Sequence, residues 1–347
     1  MKILYIEDEI CQNIPGIIRL FERQLGKDLI KKLEKLDNDE YPATPAEIKE
    51  LVESSNIIEL EYNYPAALKK IHENHGDYSL FIIDRNLIKN QSYEHSEIRE
   101  IFNGYTDEDY VRFCTREGDF LIYHLFMKKV DVLNKAFMLT AYHDEIKHDD
   151  KTKGLIDYDE FRRTNFIEKG KEDDLARLKK TINSIDDINI KCEYREVFRI
   201  FSKGHFDVED ERALMNIVRR MRAREESTIS DVIVKIRVML ERIFIVLNRY
   251  DENIIPVNYI VNEKNQTQVK CREVFRYLVE KGKVEKDSII DRFNWQIYTL
   301  ACNEGAHANF GASDYHPTRN TAQALTFMLF DVLLWADGLM GGKDMKG

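Results

Sequence analysis

Five short apolar runs punctuate the first half of the chain, and helical periodicity fills the stretches between them. Lys2-Ile3-Leu4-Tyr5-Ile6 is apolar after its first residue, the pattern of a strand buried on both faces. Similar runs recur at Ile57-Ile58-Glu59-Leu60, Ser79-Leu80-Phe81-Ile82-Ile83, Ala136-Phe137-Met138-Leu139 and Asn165-Phe166-Ile167. Pro65 to His72, Phe120 to Lys129 and Asp173 to Ile185 are amphipathic at helical spacing. Strand–helix alternation of this kind predicts an α/β domain, a doubly wound five-stranded parallel sheet with helices on both faces. Two segments are surplus to the alternation: Leu29 to Glu53 lengthens the first connection, and Ile88 to Glu117 follows the third strand. Structureless loops of that length are uncommon, so each insertion is expected to carry its own helix.

After Asp186 the strand-like runs largely vanish. Ile229, Val232, Ile233, Ile236, Leu240, Ile243, Phe244 and Leu247 fall on one helical face, with Ser227 or Thr228 as the N-cap. Thr321 to Leu339 is apolar on most sides and reads as the central helix of a bundle, while Pro256 and the polar run from Asn262 to Gln268 mark a loop. The reading is therefore an α/β domain over residues 1–186 and an all-α helical bundle over residues 187–347.

Composition narrows the setting. There are 52 basic and 62 acidic residues, a net charge of −10, which argues against a chain-wide nucleic-acid footprint. Five scattered cysteines with no CxxC spacing argue against a disulfide framework or a zinc site and point to a reducing cytoplasm. No run of ~18 uncharged apolar residues marks a membrane span, and Met1-Lys2-Ile3-Leu4 enters a strand pattern without the features of a signal peptide. His72 with His75, and His143 with His148, lack an evident third ligand and read as exposed polar positions.

The chemistry concentrates at strand ends. The first strand closes in Glu7-Asp8-Glu9, the third in Asp84-Arg85-Asn86, the fourth in Thr140-Ala141 and the fifth in Glu168-Lys169-Gly170. A doubly wound sheet gathers these carboxyl ends along one edge. Acids, a hydroxyl and a lysine converging there suit a hard divalent cation and a phosphoryl group.

These residues resemble a response-regulator receiver domain over residues 1–185. The apolar run closing in acids at Ile3 to Glu9, Asp84 after Leu80-Phe81-Ile82-Ile83, Thr140-Ala141 after Met138-Leu139, and Lys169 with Phe166 three residues before it carry the likeness. The resemblance implies a flavodoxin-like sheet, Asp84 as phosphoacceptor, and Mg2+ held by Glu7, Asp8, Asp84 and the backbone carbonyl of Asn86. It further implies that Thr140, beside Ala141, and Lys169 stabilise the phosphoryl group, with Phe166 as a rotamer-switching aromatic on an output face. A histidine kinase or phosphotransfer protein would be the donor, and a homodimer the responding assembly. Gly170 replaces the proline usual after the lysine, and the insertion from Ile88 begins beside Asp84.

The second half is less legible. The run Arg219-Arg220-Met221-Arg222-Ala223-Arg224 reads as a solvated helix face rather than a DNA-reading element. Asn303-Glu304-Gly305-Ala306-His307 is similar to the Asn-xxx-His signature of HEPN-like helical domains. Nuclease members carry an arginine a few residues before the histidine, whereas Cys302 or Ala301 stands in that region and Arg292 lies several turns away. His307 therefore reads as a structural residue bonded to Asn303, with RNA cleavage as the alternative, and RNA rather than DNA is the nucleic acid left open. A phosphate-independent scaffold is the third reading of the whole chain.

Overall fold

The computed structural model describes residues 1–38, 41–87, 93–141, 158–223, 229–262, 264, 266–301 and 317–341. They fall into two compact units, Met1–Glu193 and Tyr194–Gly347. In the first, β1 (Lys2–Ile6) is followed by α1 (Ile14–Leu25), α2 (Lys27–Asp37) and α3 (Pro45–Glu53). Then come β2 (Ile58–Glu61), α4 (Tyr64–Asn74) and β3 (Tyr78–Asp84). The second insertion holds α5 (His95–Ile101) and α6 (Asp107–Phe113), and α7 (Glu117–Met127) and α8 (Val132–Lys135) lead into β4 (Ala136–Thr140). The unit closes with α9 (Tyr158–Asn165), β5 (Phe166–Glu168), α10 (Glu172–Ser184) and α11 (Asp186–Glu193).

All five strands are parallel, in the order β2-β1-β3-β4-β5. Their period-two alternation sends Leu4, Ile6, Phe81, Ile83 and Met138 to one face, against Leu68 and Ile71 of α4 and Leu121 and Leu125 of α7. Ile3, Tyr5, Leu80, Ile82 and Leu139 go to the other, against Ile17 and Phe21 of α1 and Leu178 and Ile182 of α10. Both faces are covered, which is why the inner strands β1, β3 and β4 read as nearly continuous apolar runs, whereas the edge strand β2 carries Glu59 and Glu61. Each insertion holds two helices, and α3 and α6 open with complete capping boxes, Thr44 with Glu47 and Thr106 with Asp109.

The domain boundary differs from the sequence expectation of residue 186. Helix α11 belongs to the first unit, because Ile188 enters its core and the buried Lys191 Nζ donates to the Asn56 carbonyl at 3.1 Å. An eight-residue helix with two acids in its first turn gives no sequence signal of which core it joins.

The second unit comprises α12 (Arg195–Arg199), α13 (Val208–Arg222), α14 (Ile229–Tyr250), α15 (Cys271–Glu280), α16 (Ile289–Leu300) and α17 (Arg319–Met340). Helix α14 packs on α13, α16 and α17, burying every residue of the expected apolar face except the half-exposed Ile229. Helix α17 is long and apolar enough to cross a membrane by length and composition, yet Leu325, Leu329, Val332, Leu333 and Ala336 are buried in this bundle. The expected caps Ser227 and Thr228 lie outside the described residues. The polar run after Asn262 is a loop closed by an isolated antiparallel bridge between Val261 and Thr267.

Ile188→Ala is expected to destabilise the first unit by about 2–4 kcal/mol, as for a buried isoleucine truncation. Hydrogen exchange should accelerate in β1–β3 amides and remain unchanged in α14 and α17.

Candidate functional site

The crossovers from β1 and β3 run in opposite directions, so a crevice opens at the carboxyl ends of these neighbouring strands. Glu7, Asp8 and Asp84 meet there. Each offers a carboxylate oxygen, and these lie within 4.8 Å of one another, all three residues buried. Lys169, just past β5, reaches across β4 to bind two of them, its Nζ 2.9 Å from Asp84 Oδ2 and 2.7 Å from Glu7 Oε2. Backbone bonds fix the rest: Arg85 N–H donates to Asp84 Oδ1 at 2.8 Å and to the Leu139 carbonyl at 3.0 Å, and Lys169 N–H donates to the Thr140 carbonyl at 3.0 Å.

Thr140 is buried at the end of β4, and Ala141 beside it is exposed. Asn86 stands half-buried two residues beyond the last residue of β3. Glu7 is oriented by the Tyr5 hydroxyl and by the Asn13 side-chain amide, each donating to Oε2 at 3.3 Å. Phe166 opens β5, three residues before Lys169. Its ring is fully buried and packs edge-on against Phe161, centroids 5.8 Å apart, because β5 turns it into the α9 side of the core.

The electrostatics are those of a crowded anion site. Burial first, and the neighbouring Glu7 charge second, push the Asp84 carboxyl up to about 8, against the opposing pull of Lys169. Burial pulls the Lys169 ammonium down, but the Glu7 and Asp84 carboxylates outweigh it and hold its pKa above the ordinary value. With all three acids ionised, three negative charges face one lysine, an excess of two. All the side-chain donors are hard carboxylate oxygens. Both features fit a hard divalent cation of the Mg2+ type, whose charge would offset the excess that otherwise drives Asp84 to protonate.

One acid here escaped the sequence reading. Glu117 opens α7, and its carboxylate accepts from Thr115 N–H at 3.0 Å and Leu87 N–H at 3.5 Å. Burial raises it to about 7, against these backbone donors, and the charge of Asp8 adds to the shift. Helix α7 is pressed against the end of β3: Gly118 N–H donates to the Arg85 carbonyl at 3.0 Å, and a Cβ at Gly118 would lie 2.2 Å from the Asp84 carbonyl oxygen. Arg85 then forms a buried two-nitrogen contact to Asp119 Oδ2, at 3.2 and 3.1 Å. Glu117 lies at the end of a long insertion, so only the return of the chain to Asp84 reveals it.

Elsewhere the structure regroups the histidines. His72 Nδ1 lies 3.1 Å from His124 Nε2, with the rings stacked, while burial holds His124 down at about 4. This is a hydrogen-bonded pair between α4 and α7, and His72 and His75 are half-buried rather than the exposed polar positions expected from the sequence. Asn303, His307, His143 and His148 lie outside the described residues. No family model, curated protein or solved structure matches the chain.

Asp84 and Glu117 both bind protons more tightly folded than unfolded, so the metal-free first unit should lose stability as pH rises from about 4 through 7 to 8. Asp84→Asn removes a carboxylate whose ionisation is opposed first by burial and then by Glu7, and is expected to raise that unit's melting temperature at pH 8.5 by about 2–4 °C for each ~1 kcal/mol gained. Calorimetric melting across pH checks both.

Gly118→Ala forces α7 off the β3 end. It should cost about 1–3 kcal/mol, the scale of overpacking, and weaken divalent-cation binding measured by titration calorimetry.

Proposed function

We propose that Met1–Glu193 is a phosphoacceptor domain of the response-regulator receiver kind, with a flavodoxin-like strand order, and that Asp84 takes the phosphoryl group. The observation that carries this reading is Lys169 bridging Asp84 and Glu7 inside a buried three-carboxylate cluster at the sheet's switch point. A buried, hydrogen-bonded carboxylate beside a lysine is equipped to attack phosphorus and to have the product's charge balanced in place.

An Asp84 oxygen attacks the phosphorus of a phosphohistidine on a kinase or phosphotransfer protein. An O–P bond forms, the P–N bond breaks, and the donor imidazole leaves with the electron pair and takes up a proton. Mg2+ held by Glu7, Asp8, Asp84 and the Asn86 carbonyl would supply charge neutralisation for the transferring oxygens. Lys169 already touches Asp84 Oδ2 and becomes the counterion of the acyl phosphate. The Thr140 hydroxyl, at the end of the neighbouring strand, supplies a hydrogen bond to the same oxygens. Phosphorylation adds about −1.5 to −2 charge, which redraws the pairing of Lys169 and biases a pre-existing equilibrium. The helical second unit is then the output or dimerisation module.

Incubation with acetyl phosphate and Mg2+ should add one phosphoryl group, hydroxylamine-labile and read by intact mass. Asp84→Asn should abolish the addition, and Asp8→Asn should slow it at least tenfold while leaving the fold intact. A wild-type chain that binds Mg2+ yet takes no phosphoryl group from acetyl phosphate or a phosphohistidine donor would overturn the proposal.

A further inference from the structure

On the α1 and α10 side of the acid cluster a small open cleft of about 100 Å³ lies. Leu139, Leu175 and the Tyr5 ring line it with apolar surface, and its charged lining consists of Arg19, Lys169 and Lys179. No acidic residue lines it among the described residues. Arg19 is held by Glu172 at 3.0 Å, but both side chains are largely exposed, at 45% and 79%, and such pairs are weak and exchangeable. Lys179 is half-buried and has no ion pair among the described residues. A half-buried ammonium without a counterion, beside a second cation and an apolar wall, marks a place for an organic anion.

We propose that this cleft binds a small organic phosphate monoester, with its apolar body on Leu139, Leu175 and Tyr5 and its phosphate between Arg19, Lys179 and Lys169. Three cations favour a dianion over a carboxylate. Lys169 is the shared element. Its ammonium lies between the Glu7 and Asp84 carboxylates and the cleft, so an anion in the cleft draws it outward and leaves the acid cluster more negative. A cation at the cluster and an anion in the cleft therefore favour each other, by the same factor in both directions. Binding in the cleft stands on the cleft alone, whereas the coupling rests on the cation-holding reading of the acid cluster.

The test is calorimetric titration of the full chain with phenyl phosphate in metal-free buffer. Phenyl phosphate should bind at least tenfold tighter than inorganic phosphate and tighter than benzoate. Arg19→Ala and Lys179→Ala, both helix-surface substitutions, should each weaken it about tenfold. Asp84→Asn should leave binding in place, which separates the cleft from the phosphoacceptor. Saturating Mg2+ should tighten phenyl phosphate about fivefold, within the usual scale of coupling between sites. Equal affinity for inorganic phosphate, or indifference to both cleft substitutions, overturns the proposal. Normal phenyl phosphate binding with no Mg2+ binding at all would instead overturn the cation-site reading while leaving the cleft standing. Mg2+ and phenyl phosphate binding without mutual effect would remove Lys169 as the link between them.

Discussion

Like-charge repulsion among Glu7, Asp8 and Asp84 is the constraint around which the first unit is organised. Adjacent parallel strands β1 and β3 must end side by side, and each ends in acid. Bringing these groups together out of water is costly, and the fold offsets the cost with one long-reaching cation and several oriented donors. Lys169 spans two strands to bind two carboxylates, Tyr5 and Asn13 donate to Glu7, and the backbone amide of Arg85 donates to Asp84. The compensation is incomplete, as the raised Asp84 pKa shows. A site left short of positive charge in this way is poised to take a cation, and its parts shift when charge is added.

The surroundings hold that strained geometry rigid. Glycine at 118 lets α7 begin in contact with the backbone of Asp84 and Arg85, and the Arg85–Asp119 pair bolts the same helix to the strand end. A helix that touches the acid cluster at one end carries the half-buried His72–His124 contact to α4 near the other. Packing on this face therefore connects the site to two helices rather than one.

The residues at the strand ends were legible in the sequence as a group because a doubly wound sheet dictates where carboxyl ends go. Apolar runs located all five strands, and acids, threonine and lysine directly after those runs fall on one edge whatever the details of packing. Glu117 was not legible, since a thirty-odd-residue excursion hides where the chain returns. Helix α11 was misassigned for a related reason: its Ile188 and Lys191 choose a core through contacts with residues far away in the chain. For Phe166, spacing from Lys169 fixes its strand position but not which neighbours close over its ring. Each failure concerns a long-range contact, for which local periodicity carries no information.

The excursion after β3 leaves and returns at one corner, where Leu87 N–H meets the Glu117 carboxylate and Gly118 N–H meets the Arg85 carbonyl. Its two feet are thus clamped together by the scaffold itself. Doubling the length of a loop closed in that way adds only about 0.6 kcal/mol of closure entropy. The corner behaves as a socket: it sets where the inserted helices begin and end, while Ile98, Tyr105 and Phe113 anchor them in the core above the acids.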